Sequence, residues 1–179
     1  DAESRGGLVT DFLAGSDPPE AYLDRIAGIS SRYNGFNLLV GDPRVLAWYS
    51  NVGGGRRVLD PGLYGVSNHL LDTPWPKLTS AKSALAEALV ALPEDQALFD
   101  LLRDDGIHAD EILPRTGVSL EWERILSSAF VRAPGYGTRS STVLLVDRQG
   151  QVSYDEQTWL EGGAPGNRAH FRFQASPAP

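Results

Sequence analysis

Apolar residues recur at helical spacing in some stretches of this chain and alternate with polar ones in others, and the two patterns come in blocks. Leu8, Phe12 and Leu13 predict one face of a helix that Ser4 caps and that Gly15 stops at about Ala14. Asp17-Pro18-Pro19-Glu20 is a helix-start signature, and Ala21, Tyr22, Ile26 and Ile29 supply the stripe of a second helix to about Ser31. Asn34 and Gly35 break it. Apolar runs at 36–40 and 45–50, separated by Gly41-Asp42-Pro43, predict a hairpin. After a turn at Gly53, Gly54 and Gly55, runs at 57–59 and 63–67 continue the meander around Asp60-Pro61-Gly62. From Lys77, the residues Leu78, Ala81, Leu85, Ala88, Leu89 and Leu92 repeat at helical spacing, and Pro93 closes the run. Residues 94–103 predict a further helix with Leu98, Leu101 and Leu102 inward. Residues 104–117 read as irregular and 120–127 as a short helix. The β-branched run 138–146 and the alternation at 152–159 flank a hairpin turn at 147–150. Phe171 and Phe173 predict a last edge strand, and the tail after Gln174 is expected to be disordered. Helix pair, strands, helix pair, strands is the order of an α+β fold, unlike the alternation of a parallel, doubly wound sheet. We expect one domain over residues 1–174 and a tail at 175–179.

Composition narrows the function classes. Sixteen basic against 23 acidic residues give a net charge of −7, with no positive stripe along which a phosphate backbone would lie, so no nucleic-acid partner is expected. The longest apolar window, 84–92, is interrupted by Glu87 and falls well short of the roughly 20 residues of a membrane span. A soluble chain without a membrane span is expected, cytoplasmic by default. With no cysteine there is no disulfide and no thiolate metal site. With no methionine either, and no charged and apolar leader at its start, the sequence opens as the interior of a longer protein whose N-terminus lies upstream.

The chemistry concentrates in GLYGVSNHLLDTPWPK, residues 62–77. Leu63, Tyr64 and Val66 suit a pleated segment, and Ser67 and Asn68 place short hydrogen-bonding groups at its exit. Pro74 and Pro76 keep the chain extended or turned to about Trp75, after which a helix starts. Taken alone, Ser67, Asn68 and Asp72 are as readily residues that satisfy backbone groups at a turn.

This segment resembles the transport and Golgi organisation protein 2 family, also called NRDE proteins after an N-terminal motif. YNGFNLLVGD (33–42), WYSN (48–51), TGVSLEWERILSSAFV (116–131) and YGTRSSTVLLVD (136–147) follow the same family in the same order. More distantly, it is similar to choloylglycine-hydrolase-like N-terminal-nucleophile enzymes, in which an Asn at the position of Asn68 lines the oxyanion hole. The resemblance implies a four-layer αββα sandwich of the N-terminal-nucleophile type, here without its first strands. It also implies a candidate Cys nucleophile upstream of Asp1, because the leading residue of that class must be Cys, Ser or Thr.

Arg139, in the family's GTRSST motif, is the second polar group expected at the site, where a guanidinium clamps a carboxylate or oxyanion; pairing with an acidic neighbour is its other reading. Asn51, Arg57, Ser67, His69 and Asp72 are candidate ligand-binding residues beside Asn68. Asn37 lies near a strand end, and Gly53-Gly54-Gly55 before Arg56 and Arg57 is a candidate anion nest or simply a hairpin turn. His69, His108 and His170 lack metal-site spacing, and no metal is expected. GVSNH has His69 where a nucleophile elbow needs glycine, which excludes an α/β-hydrolase. Two functions remain. The resemblance implies intracellular handling of a small amphipathic molecule, haem or lipid-derived, with no required cofactor and haem only as a ligand. The alternative is an amidohydrolase cleaving a linear C–N bond, with Asn68 and Arg139 catalytic and the nucleophile outside this chain.

Overall fold

The computed structural model describes residues 2–92 and 95–175. They fall into two compact units, 2–73 and 74–175. In each, helices precede an antiparallel sheet, the α+β order predicted from the block pattern.

In the first unit, helices α1 (Gly6–Ala14) and α2 (Pro19–Ile29) lead into strands β1 (Asn37–Gly41), β2 (Leu46–Ser50) and β3 (Gly55–Leu59), a meander in sequence order. The β1–β2 turn is held by Asp42, whose Oδ1 accepts the amides of Arg44 and Val45 at 2.7 and 2.8 Å. Those two hydrogen bonds stabilise the ionised carboxyl and hold it below its ordinary range. The register sets Leu38 opposite Tyr49 and Val40 opposite Ala47, so the four share one face. On that face they form a core with Leu8, Tyr22, Leu23 and Ile26. Arg56 lies on the same face and reaches Glu20 at 3.0 Å and Asp24 at 2.8 Å on α2.

Three expectations are corrected here. The buried stripe of α2 is Pro19, Tyr22, Leu23 and Ile26, spaced i, i+3, i+4, i+7, and Ala21 is exposed. Leu13, one residue beyond the inward-leaning Phe12, turns to solvent and is 75% exposed. Residues 63–67 form no strand. Their ladder groups are taken locally: Gly65 donates its amide to Asp72 Oδ1 at 2.9 Å and accepts the Asp72 amide on its carbonyl at 2.8 Å. Asp72 makes this closure from a left-handed backbone (φ 57°), which its short polar side chain tolerates.

In the second unit, α3 (Pro76–Ala88) starts where the two prolines allow it, with Trp75 extended ahead of it. It tightens into a 3₁₀ turn, Leu89–Ala91, and so Leu89 and Leu92 lie exposed where the helical pattern placed them inward. Helix α4 (Gln96–Leu101) is shorter than predicted; its expected start at Glu94, and Pro93 before it, lie outside the described residues. Helix α5 (Leu120–Ile125) is capped by Ser119, which accepts the Trp122 amide. Buried Glu123 accepts both the amide and the hydroxyl of Thr116, at 2.6 and 2.8 Å, tying the irregular 104–117 segment to α5. Lys77, in the first turn of α3, donates to the Leu126 carbonyl at 2.8 Å, and burial lowers its pKa.

A small hairpin follows, β4 (Arg132–Ala133) with β5 (Tyr136–Gly137), and then a meander of β6 (Ser140–Val146), β7 (Gln151–Trp159) and β8 (Pro165–Gln174). Phe171 and Phe173 do lie on the last strand, which is ten residues long and runs well ahead of them. Val143 packs with Ala88, Leu98 and Phe99, so α3 and α4 cover the face of the sheet that carries it. Ala175 donates its amide to the Gly150 carbonyl at 2.8 Å; the rest of the tail, 176–179, lies outside the described residues.

Candidate functional site

The second face of the first sheet carries Asn37, Trp48 and Arg57, which alternate along their strands with the helix-facing Leu38, Ala47, Tyr49 and Arg56, Trp48 lying directly opposite Arg57. Residues 62–73 lie against it. Asn37 is the tie: its Oδ1 accepts Trp48 Nε1 at 3.1 Å and its Nδ2 donates to the His69 carbonyl at 2.9 Å. Gly54, at φ 79°, could carry no side chain, because a Cβ there would stand 2.8 Å from the Trp48 ring. The glycine turn thus seats Trp48.

Within that loop the expected site residues divide by how fully they are engaged. Asn51 is spent on the backbone, accepting the Phe36 amide at 2.8 Å and donating to the carbonyls of Ser30, Tyr33 and Asn34. Asp72 closes the loop on Gly65. His69 Nδ1 lies 2.8 Å from Thr73 Oγ1. Ser67 donates to Asn68 Oδ1 at 3.3 Å, which fixes that oxygen, while Asn68 itself is exposed. Among the described residues nothing accepts from Asn68 Nδ2. Arg57 differs from its neighbour: Arg56 is committed to two carboxylates, whereas the Arg57 guanidinium lies over the Tyr64 ring at 5.6 Å with no acid beside it among the described residues.

Arg139 belongs to the second unit and lines a hollow of about 200 Å³. The β4–β5 hairpin forms one wall and the turn at 160–163 the other, with Tyr136 and Leu160 each more than half exposed at the rim. Gly163 keeps the floor open. Its φ is +80°, and a Cβ there would meet Arg132 Nε at 2.8 Å and the Phe130 ring at 3.0 Å. Arg132 is engaged, with Asp105 at 3.4 Å and the Phe130 face at 5.2 Å. Arg139 is not: its carbonyl accepts the Trp159 amide at 2.7 Å, but its guanidinium has no carboxylate partner among the described residues. Of the two sequence readings for Arg139, pairing with an acidic neighbour finds no support in this geometry.

Tyr136, Leu160 and Arg132 were not singled out by sequence, although Pro134-Gly135 before Tyr136 is a turn signal that announces the hairpin holding them. Among the described residues no group of three or more His, Asp or Glu side chains gathers into a metal site, and no helix is long and apolar enough to cross a membrane.

Residues 1–161 match the family model described as Transport and Golgi organisation 2. The chain is 37% identical over 177 residues to the human Transport and Golgi organization protein 2 homolog, covering 89% of this chain and 63% of that protein. It is 38% identical over 176 residues to the Bos taurus homolog and 35% identical over 178 residues to the Mus musculus homolog. It therefore spans somewhat under two thirds of the length of these curated relatives. With a family model matched over most of its length and relatives above one third identity, the chain belongs to the Transport and Golgi organisation 2 family.

Proposed function

We propose that this protein handles a small amphipathic molecule bearing a carboxylate, such as haem or a lipid-derived acid, in the cytoplasm. The observation that carries the reading is Arg139, a guanidinium with no ion pair among the described residues, in a hollow that Tyr136 and Leu160 line together with Glu161 and Arg132. A planar fork of N–H donors is matched to a carboxylate, and Tyr136 and Leu160 offer the adjoining apolar part a surface to lie on. The hollow accommodates a head group, and the body of a larger ligand extends over the rim. The four-layer sandwich is part of the same proposal, supported by two antiparallel three-stranded sheets, each with helices packed on one face. Titration with haem should give a saturable Soret shift, and Arg139→Gln should weaken it about tenfold or more. An unsaturable, nonspecific change, or an unaltered Arg139→Gln titration, removes the support.

Asn68 favours a second reading. An exposed side-chain amide whose acceptor is fixed by Ser67 and whose N–H groups are uncommitted is a ready oxyanion donor. In an amidohydrolase of the N-terminal-nucleophile type it would stabilise the tetrahedral intermediate formed by a nucleophile from outside residues 1–179. In a protein spanning the full length of the relatives, Asn68→Ala should then lower amide turnover at least tenfold with folding intact. An acyl-amide probe that labels no residue of that protein overturns this reading and leaves the first untouched.

A further inference from the structure

The register of β7 and β8 sets Asp155 opposite His170 and Ser153 opposite Arg172, which places all four on one face of the sheet. Asp155 is 4% exposed, and its Oδ2 lies 2.7 Å from His170 Nδ1. Arg172 in turn donates Nε–H to His170 Nε2 at 3.0 Å. For Nε2 to accept, the imidazole proton must sit on Nδ1, where the buried carboxylate accepts it. The three side chains thus form a directed chain: carboxylate fixes imidazole, imidazole fixes guanidinium. At its end, the Nη groups of Arg172 have no partner among the described residues.

Arg172 borders a hollow of about 440 Å³, separate from the one at Arg139; of its apolar lining, Leu145 shares the sheet face of Ser153 and Arg172 and Leu92 comes from the helical side, whereas Val146 and Val152 pair with each other on the opposite face. That volume lies within the range of small-molecule sites. Two acids also border it, and both are engaged: Asp147 Oδ1 accepts the amides of Gln149 and Gln151, and Asp95 pairs with Arg168 at 3.7 Å. What remains is one pre-positioned, uncommitted guanidinium beside an aliphatic wall.

We propose that this hollow is a binding site for a compact aliphatic carboxylate, with Arg172 clamping the carboxylate, Leu145 and Leu92 taking the chain, and His170 acting as the positioning residue. The site does not depend on the ligand reading for Arg139. Asp155 and His170 remove the entropy of an otherwise free arginine, so its fork meets the anion without first being ordered.

Hexanoate, with uncharged hexanamide as its isostere, tests this by ¹H–¹⁵N and methyl NMR on the 179-residue chain. Hexanoate should move the Arg172 Nε–H and the Leu145 and Leu92 methyl signals saturably, and hexanamide should not. Arg172→Gln, at an exposed position, should weaken hexanoate at least tenfold with the spectrum otherwise retained, while Arg139→Gln leaves it unchanged. His170→Ala should abolish the Nε–H signature of a bond to a ring nitrogen and weaken hexanoate severalfold, with His170→Gln, which offers an acceptor at the Nε2 position, restoring much of it. Equal response to hexanamide, absence of saturation, or loss of binding on Arg139→Gln with none on Arg172→Gln would overturn the proposal.

Discussion

Replacing Phe130 with Ala should cost the second unit about 3–5 kcal/mol, the range for a large aromatic removed from a packed site. Phe130 is fully buried, and its ring stands edge-on to Trp159 with centroids 5.0 Å apart. Its backbone is fixed on both sides, the amide donating to the Asp104 carbonyl at 2.8 Å and the carbonyl accepting Ser128 Oγ at 2.9 Å. The neighbourhood is therefore ill placed to collapse into the vacated volume, which puts the cost toward the upper end. The Arg132 guanidinium rests on the same ring, and Gly163 of the Arg139 hollow lies against it, so the hollow loses its floor along with stability. Urea unfolding followed by near-UV circular dichroism should show a lower midpoint with an unchanged slope. Val90→Ala, at an 87% exposed position, is the control and should stay within about 0.5 kcal/mol. A loss below about 1 kcal/mol for Phe130→Ala would mean that this ring is not packed as described.

What could be read from the sequence was what depends on near neighbours. The β1–β2 turn needs only Asp42 and the two amides that follow within three residues, and the β6–β7 turn needs only Asp147 and the amides of Gln149 and Gln151. Both were predicted. The start of α3 was set by Pro74 and Pro76 and was predicted as well. Residues 63–67 have the composition of a strand, but the aspartate that takes the ladder groups of Gly65 lies seven positions on, and no local pattern announces that closure. The stripe of α2 was legible had the count started from Pro19: positions 19, 22, 23 and 26 fit one face, and Ala21 does not.

The site residues show the same division. Arg139 stands out in a polar motif with both readings open, an anion clamp or a pair with an acidic neighbour, yet the hollow it lines depends on a two-residue hairpin turn and on a glycine more than twenty positions away. The chain from Asp155 to His170 to Arg172 could not be read at all without a register. Its members stand fifteen and two positions apart, and between Gln157 and Trp159 the pairing shifts, so counting back from the turn puts the wrong residues opposite one another.

Asp155 also carries a pH signature. Burial alone would raise its carboxyl, but the hydrogen bond from His170, the charge that ring carries when it is protonated, and the hydrogen bond and charge of Arg168 outweigh burial and hold it below the ordinary carboxylate range. A carboxyl depressed in the folded state stabilises the fold fully above its unfolded value, near about 3.9, and that stability is lost as pH falls through the folded value. At neutral pH, Asp155→Ala should cost about 1.5–3 kcal/mol, the range for a lost hydrogen bond to a charged group; the half-exposed His170 and Arg168 can hydrate once released, which keeps the cost below that of a fully buried pair. The gap between wild type and Asp155→Ala, measured by urea unfolding, should therefore be widest at neutral pH and close progressively below about pH 4. Asp155→Asn keeps the shape and one acceptor oxygen without the charge, and should fall between the two at neutral pH while showing little of the acid dependence. A gap that stays constant down to pH 2 would show that the carboxylate's charge contributes nothing, and that Asp155 acts through packing alone.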